Sequence, residues 1–213
     1  MKNKTTKLLS ALCLTTALSS ASFAQEEAPL PISGNVTIAS DYVWRGLTQT
    51  DGEPAIQGGF DYAHESGFAL GVWGSNVDFG SDASAEFDLY GSYAGEVDGF
   101  GYEVGYISYN YPSESAIDFE EVYVGGSYAN VGLTYYKGLD DANDYVEASY
   151  GITVEGVDLS IMVGDYEDSY DLYGVGIGKS YGGLDFALNY TNTDPDNGSS
   201  GESNTVFSMS KSF

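Results

Sequence analysis

The sequence predicts an all-β protein, an antiparallel transmembrane β-barrel of about 12 strands with short periplasmic turns and longer extracellular loops. Three observations carry this reading. From residue 33 to the end, apolar residues alternate with polar ones in segments of about ten residues, the length that crosses a membrane when tilted. The connections between segments alternate between tight turns and longer polar stretches. The composition has 28 Gly, 19 Tyr and 10 Phe against only 5 Pro, as expected of an aromatic, Gly-rich β protein.

Residues 1–24 read as an export signal. Lys2, Lys4 and Lys7 form a positive start, Leu8 to Leu18 is a moderately apolar run, and Ser22-Phe23-Ala24 is a small-residue cleavage site. Cys13 lies within the apolar run and is read as filler. The run is too short and polar to span a bilayer as a helix. The chain has 7 Lys+Arg and 32 Asp+Glu, a formal net charge of -25. Cleavage would remove three basic residues and no acidic ones, leaving 4 against 32, or -28, and no cysteine. Such a charge excludes a basic nucleic-acid surface, and aromatics at 15% exclude a disordered acidic tail. Without disulfides the exported fold must rest on hydrogen bonding and packing. Residues 25–32 form a short periplasmic tail, and 33–213 the barrel.

The predicted lipid-facing sets follow in order. The first is Val36, Ile38, Tyr42 and Trp44, opposed by Asn35, Thr37, Asp41 and Arg45. Next come Ile56, Phe60 and Tyr62; Phe68, Leu70 and Val72; Phe87, Leu89 and Tyr93; and Phe100, Tyr102, Val104 and Tyr106. Then come Val122, Val124 and Tyr128; Val131, Leu133 and Tyr135; and Val146, Tyr150, Ile152 and Val154. The last are Leu159, Ile161 and Val163; Tyr173, Val175 and Ile177; Leu184, Phe186, Leu188 and Tyr190; and Phe207, Met209 and Phe213.

Glu65-Ser66-Gly67, Glu96 to Gly99, Ala129-Asn130, Glu155-Gly156 and Gly182-Gly183 are the tight turns. The longer loops are Gly46 to Glu53, Asp78 to Ser84, Tyr111 to Asp118, Gly138 to Asn143, Asp165 to Ser169 and Asn192 to Ser203. An even strand count puts both termini on the periplasmic side. A soluble periplasmic β-sandwich also alternates, but its strands are shorter and it has no use for aromatics gathered at strand ends, where a bilayer interface would hold them. Phe207, Met209 and the terminal Phe213 make an amphipathic last strand that looks like the signal read by the outer-membrane barrel insertion machinery.

The charges sort by face. Asp41, Asp61, Glu86, Asp88, Glu103, Glu121, Glu147, Asp158 and Asp185 all fall on the inward parity, and no carboxylate falls amid the lipid-facing stripe, where it would cost several kcal/mol. Lys137, Lys179 and Lys211 lie outward at strand ends, where they can snorkel. Arg45 alone points inward, near the outer end of the first strand, and its expected partner is a lumen or loop carboxylate such as Asp41, four residues back on the same face. These ten inward residues are the predicted pore lining. They make the expected function passive diffusion of small, preferably cationic solutes. The alternative is a closed barrel with a structural or surface-adhesive role, since inward side chains can plug a barrel of this size. Inward glycines such as Gly71, Gly105 and Gly164 leave room for water, but also suit curved strands.

The run Ser33-Gly34-Asn35-Val36-Thr37-Ile38-Ala39-Ser40-Asp41-Tyr42-Val43-Trp44-Arg45-Gly46, the stretch Thr50-Asp51-Gly52-Glu53-Pro54-Ala55-Ile56-Gln57-Gly58, and Gly71-Val72-Trp73-Gly74-Ser75-Asn76 resemble the TorF-type porin family. Its members are exported Gram-negative proteins otherwise described as conserved hypothetical. The resemblance is most specific over residues 33–80. It implies an outer-membrane barrel with pore activity and supplies no substrate.

No enzyme is expected. His64, beside Glu65 and Ser66 in a turn, is read as a plain turn residue, because adjacent residues do not by themselves assemble nucleophile, base and orienter. Asp194 to Gly198 and Gly138 to Asp144 lack EF-hand spacing and are read as solvated loops with at most loose divalent-cation binding. No phosphate loop, zinc spacing or dinucleotide fingerprint is present, so no cofactor is expected.

Overall fold

The computed structural model describes residues 32–213 apart from 141. The signal-peptide reading and almost all of the tail therefore lie outside the described residues; Ile32 already opens the first strand.

Twelve antiparallel strands close into one barrel. In chain order they are β1 (Ile32–Ala39), β4 (Ala55–Ala63), β5 (Phe68–Asn76), β6 (Ala85–Val97), β7 (Phe100–Asn110), β8 (Phe119–Tyr128), β9 (Val131–Gly138), β10 (Tyr145–Val154), β11 (Val157–Tyr166), β12 (Tyr170–Tyr181), β13 (Leu184–Pro195) and β14 (Ser203–Ser212). Two further short strands, β2 (Val43–Trp44) and β3 (Leu47–Thr48), form a separate hairpin within the β1–β4 connection. Each barrel strand pairs with its sequence neighbour, and β14 pairs with β1 from Asn35↔Ser212 to Ala39↔Ser208. Gly34 and Phe213 extend this seam through mutual N–H···O bonds of 2.9 and 3.0 Å. The barrel sheet has no open edge, so every barrel strand has ladder partners on both sides.

Several tight turns take their shape from two residues at positive φ, the condition for a hairpin turn that matches strand twist. Asp98-Gly99 and Glu155-Gly156 both satisfy it. The tight turns between consecutive barrel strands lie at one end of the barrel, and the longer connections at the other.

The barrel is apolar outside and polar within, the reverse of a water-soluble fold. Ile56, Leu70 and Ile161 on the outer face are 66%, 63% and 56% exposed. A soluble protein would bury such residues, whereas a hydrocarbon surrounding accommodates them. The buried residues instead line the interior, and most of the large ones are tyrosines: Tyr90, Tyr109, Tyr123, Tyr136, Tyr145 and Tyr170. Several of these rings lie against inward glycines. A Cβ on Gly71 would overlap Tyr90, one on Gly105 would overlap Tyr123, and one on Gly164 would overlap Tyr145. Gly71↔Tyr90 and Gly105↔Tyr123 are direct cross-strand pairs. These three glycines therefore seat aromatic rings and do not themselves leave space for water, an outcome the inward parity alone did not decide.

Candidate functional site in the barrel lumen

The first strand ends at Ala39, five residues short of where alternation alone would carry it. Beyond it, residues 40–54 turn into the lumen and fill its long-loop end. Tyr42 and Trp44, expected on the lipid face, lie inside: Tyr42 is 2% exposed and packs edge-on against Trp73 at 5.3 Å. The stretch from Gly46, expected as an outer loop, belongs to the same inward hairpin. The correction has a plain cause. Period-two alternation marks a strand with two unlike faces, and a hairpin inside a barrel alternates as a wall strand does. Arg45 and Gly46 form its two-residue turn, both at positive φ, 47° and 85°.

The hairpin is tied in place by polar contacts. Asp41 Oδ1 accepts from the Thr48 hydroxyl at 2.7 Å and the Thr50 hydroxyl at 2.8 Å. Tyr42 N–H donates to Thr50 Oγ1 at 3.0 Å, and Gln49 N–H to the Tyr42 carbonyl at 2.6 Å. Asn204 Nδ2 on β14 donates to the Gly46 carbonyl at 2.8 Å.

At the hairpin tip, Arg45 is bound bidentately by Glu121 of β8, Nη1 to Oε1 and Nη2 to Oε2, each at 2.7 Å. Tyr109 Oη donates to the same carboxylate at 3.1 Å. The guanidinium lies within 4.2–5.4 Å of the rings of Trp44, Tyr136, Tyr145 and Tyr166. Arg45 is 5% exposed and Glu121 0%, so water does not screen the pair. The partner expected for Arg45 was a lumen or loop carboxylate, with Asp41 as the example. The structure assigns Glu121, because Asp41 is engaged by the two threonines and the planar fork of Arg matches a carboxylate facing it across the lumen.

All nine inward acids face the barrel interior. Phenols partner five of them: Tyr42 donates to Glu86 at 3.2 Å, Tyr90 to Asp61 at 2.5 Å, Tyr109 to Glu121, Tyr123 to Glu103 at 2.8 Å and Tyr145 to Glu147 at 3.0 Å. Near the short-turn end Asp158 accepts from Thr153 at 2.6 Å and Asp185 from Ser180. The acids divide by depth. Glu86, Asp88 and Glu121 are 0–1% exposed beneath the hairpin, whereas Asp61, Glu103, Glu147, Asp158 and Asp185 are half-buried and face the remaining lumen. There Ser160, Asn189, Ser208 and Ser210 join Asp158 and Asp185 around one small polar recess. Tyr90, Tyr109, Tyr123 and Tyr145 fall on the inward parity of their strands, whereas Tyr42 was expected on the lipid face, and only the strand register says which phenol meets which acid.

Among the described residues no group of three or more His, Cys, Asp or Glu converges as a metal centre would. His64 and Ser66 do meet, Nδ1 to Oγ at 2.7 Å, on the exposed short-turn surface, where adjacency alone had given no reason to expect it. Tyr62 flanks the imidazole, and no carboxylate hydrogen-bonds it among the described residues, so the orienting member of a triad is missing.

No curated protein matches the chain. Among solved structures, the KdgM porin superposes with a TM-score of 0.61 at 10% identity, over 85% of this chain and 98% of that one. A structure from work on the in-meso crystallization of membrane proteins gives 0.57 at 10% identity, over 85% and 83%. At such identities the likeness shows a porin-like fold. A family model for a bacterial protein of unknown function, Gcw_chp, matches residues 23–213; the match does not carry the TorF name. The chain belongs to the Gcw_chp family.

Proposed function

We propose that the protein is an outer-membrane channel for passive diffusion of small, preferably cationic solutes, with the hairpin of residues 40–54 seated in the outer half of its lumen. The observation that carries this reading is the charge inside a closed, porin-like barrel. Nine carboxylates face inward against one guanidinium, and that guanidinium is consumed by Glu121. The half-buried Asp61, Glu103, Asp158 and Asp185 then set the field of the remaining lumen, which attracts cations and repels anions. The apolar outer face and the seam closed by Phe213 support residence in the outer membrane of a Gram-negative bacterium. They also support export by the N-terminal signal and handling of Phe207, Met209 and Phe213 by the barrel insertion machinery. Outer-membrane lipid is the surrounding partner, with loose divalent cations at the acidic loops.

A second reading, a closed barrel with a structural or adhesive surface role, is favoured by the tyrosine-packed outer half of the lumen. Planar-bilayer recording separates the two. The first expects conductance in wild type or in Arg45→Ala, with reversal potentials showing cation preference that weakens in an Asp61→Asn/Glu103→Gln/Asp158→Asn/Asp185→Asn variant. Silence from both proteins supports the closed barrel, and anion preference would remove the acidic-field argument.

A further inference from the structure

We propose that Glu86 and Asp88 form a cation site beneath the lumen hairpin that takes one hard, oxygen-liganded divalent cation of the Ca²⁺ class. Asp88 is 0% exposed and neither of its oxygens accepts from a donor group, the Glu86 carboxyl lying beside it; Glu86 Oε2 is buried without a donor as well. This sets Asp88 apart. Each of the other eight inward acids accepts from at least one donor side chain.

The local charge balance points the same way. Arg45 compensates Glu121 through two 2.7 Å contacts, which leaves the formal charge of Glu86 and Asp88 without a cation among the described residues. The lysines offer none, since Lys137, Lys179 and Lys211 are exposed. Buried charge that is neither paired nor hydrogen-bonded is not sustained in a folded interior. The two acids are two residues apart on one strand and so share its inward face. The Tyr42 hydroxyl reaches Glu86 at 3.2 Å, adding a further oxygen. The unpartnered atoms are all carboxylate oxygens, with no thiolate or imidazole, which selects a hard cation; two carboxylates match a divalent one, and the flexible coordination of Ca²⁺ suits an incomplete shell finished by water. The site would pin β6 to the hairpin through Tyr42, whether or not the barrel conducts.

The test uses the full chain refolded with Tb³⁺ as the Ca²⁺ probe, reading lanthanide emission sensitised by the aromatic residues paired with Asp88, Trp73 on β5 and Tyr109 on β7. Wild type should show saturable emission competed by Ca²⁺ and reduced at least tenfold in Asp88→Asn. An Asp140→Asn/Asp144→Asn variant, altered only in an outer loop, should retain it. Heat-modifiable gel migration verifies that each variant is folded, and Glu86→Gln replaces Asp88→Asn if the latter does not fold. Absence of saturable emission in wild type, or emission unchanged in the folded lumen variant, overturns the proposal; the second result would assign the cation to the loops and the first would leave protons to neutralise the pair.

Discussion

Replacing Arg45 by alanine should unseat the lumen hairpin. The substitution removes both 2.7 Å bonds to Glu121 and leaves that carboxylate, 0% exposed, with only the Tyr109 phenol. Breaking one side of a buried pair costs about 3–5 kcal/mol, chiefly through the orphaned charge. The lost contacts of the guanidinium with four aromatic rings add to this, at roughly 0.5–2 kcal/mol for a cation–π contact and not additively. Even about 3 kcal/mol shifts the balance between seated and released hairpin by roughly two orders of magnitude, at 1.36 kcal/mol per decade. Glu121→Gln in the Arg45→Ala background should recover part of the loss, because a neutral amide no longer needs a cation. The assay is a double-mutant cycle on urea unfolding in lipid vesicles, with intrinsic fluorescence as the local readout. The chain has 2 Trp, and both report on the hairpin: Trp44 lies beside the tip and Trp73 against Tyr42. A coupling energy within about 0.5 kcal/mol of zero, together with unchanged tryptophan emission in Arg45→Ala, would refute the reasoning.

Other perturbations follow from the same geometry. Gly71→Ala should destabilise by about 1–3 kcal/mol, because the new Cβ overlaps the Tyr90 ring. Gly151→Ala should stay within about 0.5 kcal/mol of wild type, since the nearest atom is 3.7 Å from the added carbon; equal losses in vesicle unfolding would deny that the glycines are ring seats. At the long-loop end, the Tyr135 phenol, the Lys137 ammonium and the Gly138 N–H hold the Asp144 carboxyl below its ordinary range. A depressed carboxylate contributes stability that is present above its unfolded pKa and lost as pH falls through the lowered one. Asp144→Asn should therefore be less stable than wild type at neutral pH and match it in strong acid, by a small amount because the group is near solvent. Deleting Phe213 removes both of its backbone bonds to Gly34 at the β14–β1 seam, and should lower the yield of heat-modifiable barrel in refolding gels.

The strand pattern was legible because each strand declares its two faces locally. Val36 and Ile38 face out whatever their neighbours do, since the alternation of Cβ directions is a property of the extended backbone. The same local rule misled where chain direction, and not alternation, was at issue. Nothing in Asp41-Tyr42-Val43-Trp44-Arg45 distinguishes a wall strand from a hairpin bent inward. One signal was nonetheless present: Trp44 and the single inward base, Arg45, are adjacent in this segment, a pairing that a lipid-facing strand end does not require.

The sequence by itself determined the architecture, an antiparallel barrel of twelve strands with polar residues inward and its acids kept off the lipid face, because these follow from local periodicity and from the cost of charge in hydrocarbon. Only the tertiary structure decided what the lumen contains. Arg45 and Glu121 are 76 residues apart, and the seating of Tyr90 on Gly71 or Tyr123 on Gly105 depends on strand register. Those partners are set by how the closed barrel brings its inward faces together, and no local stretch of chain specifies that distance.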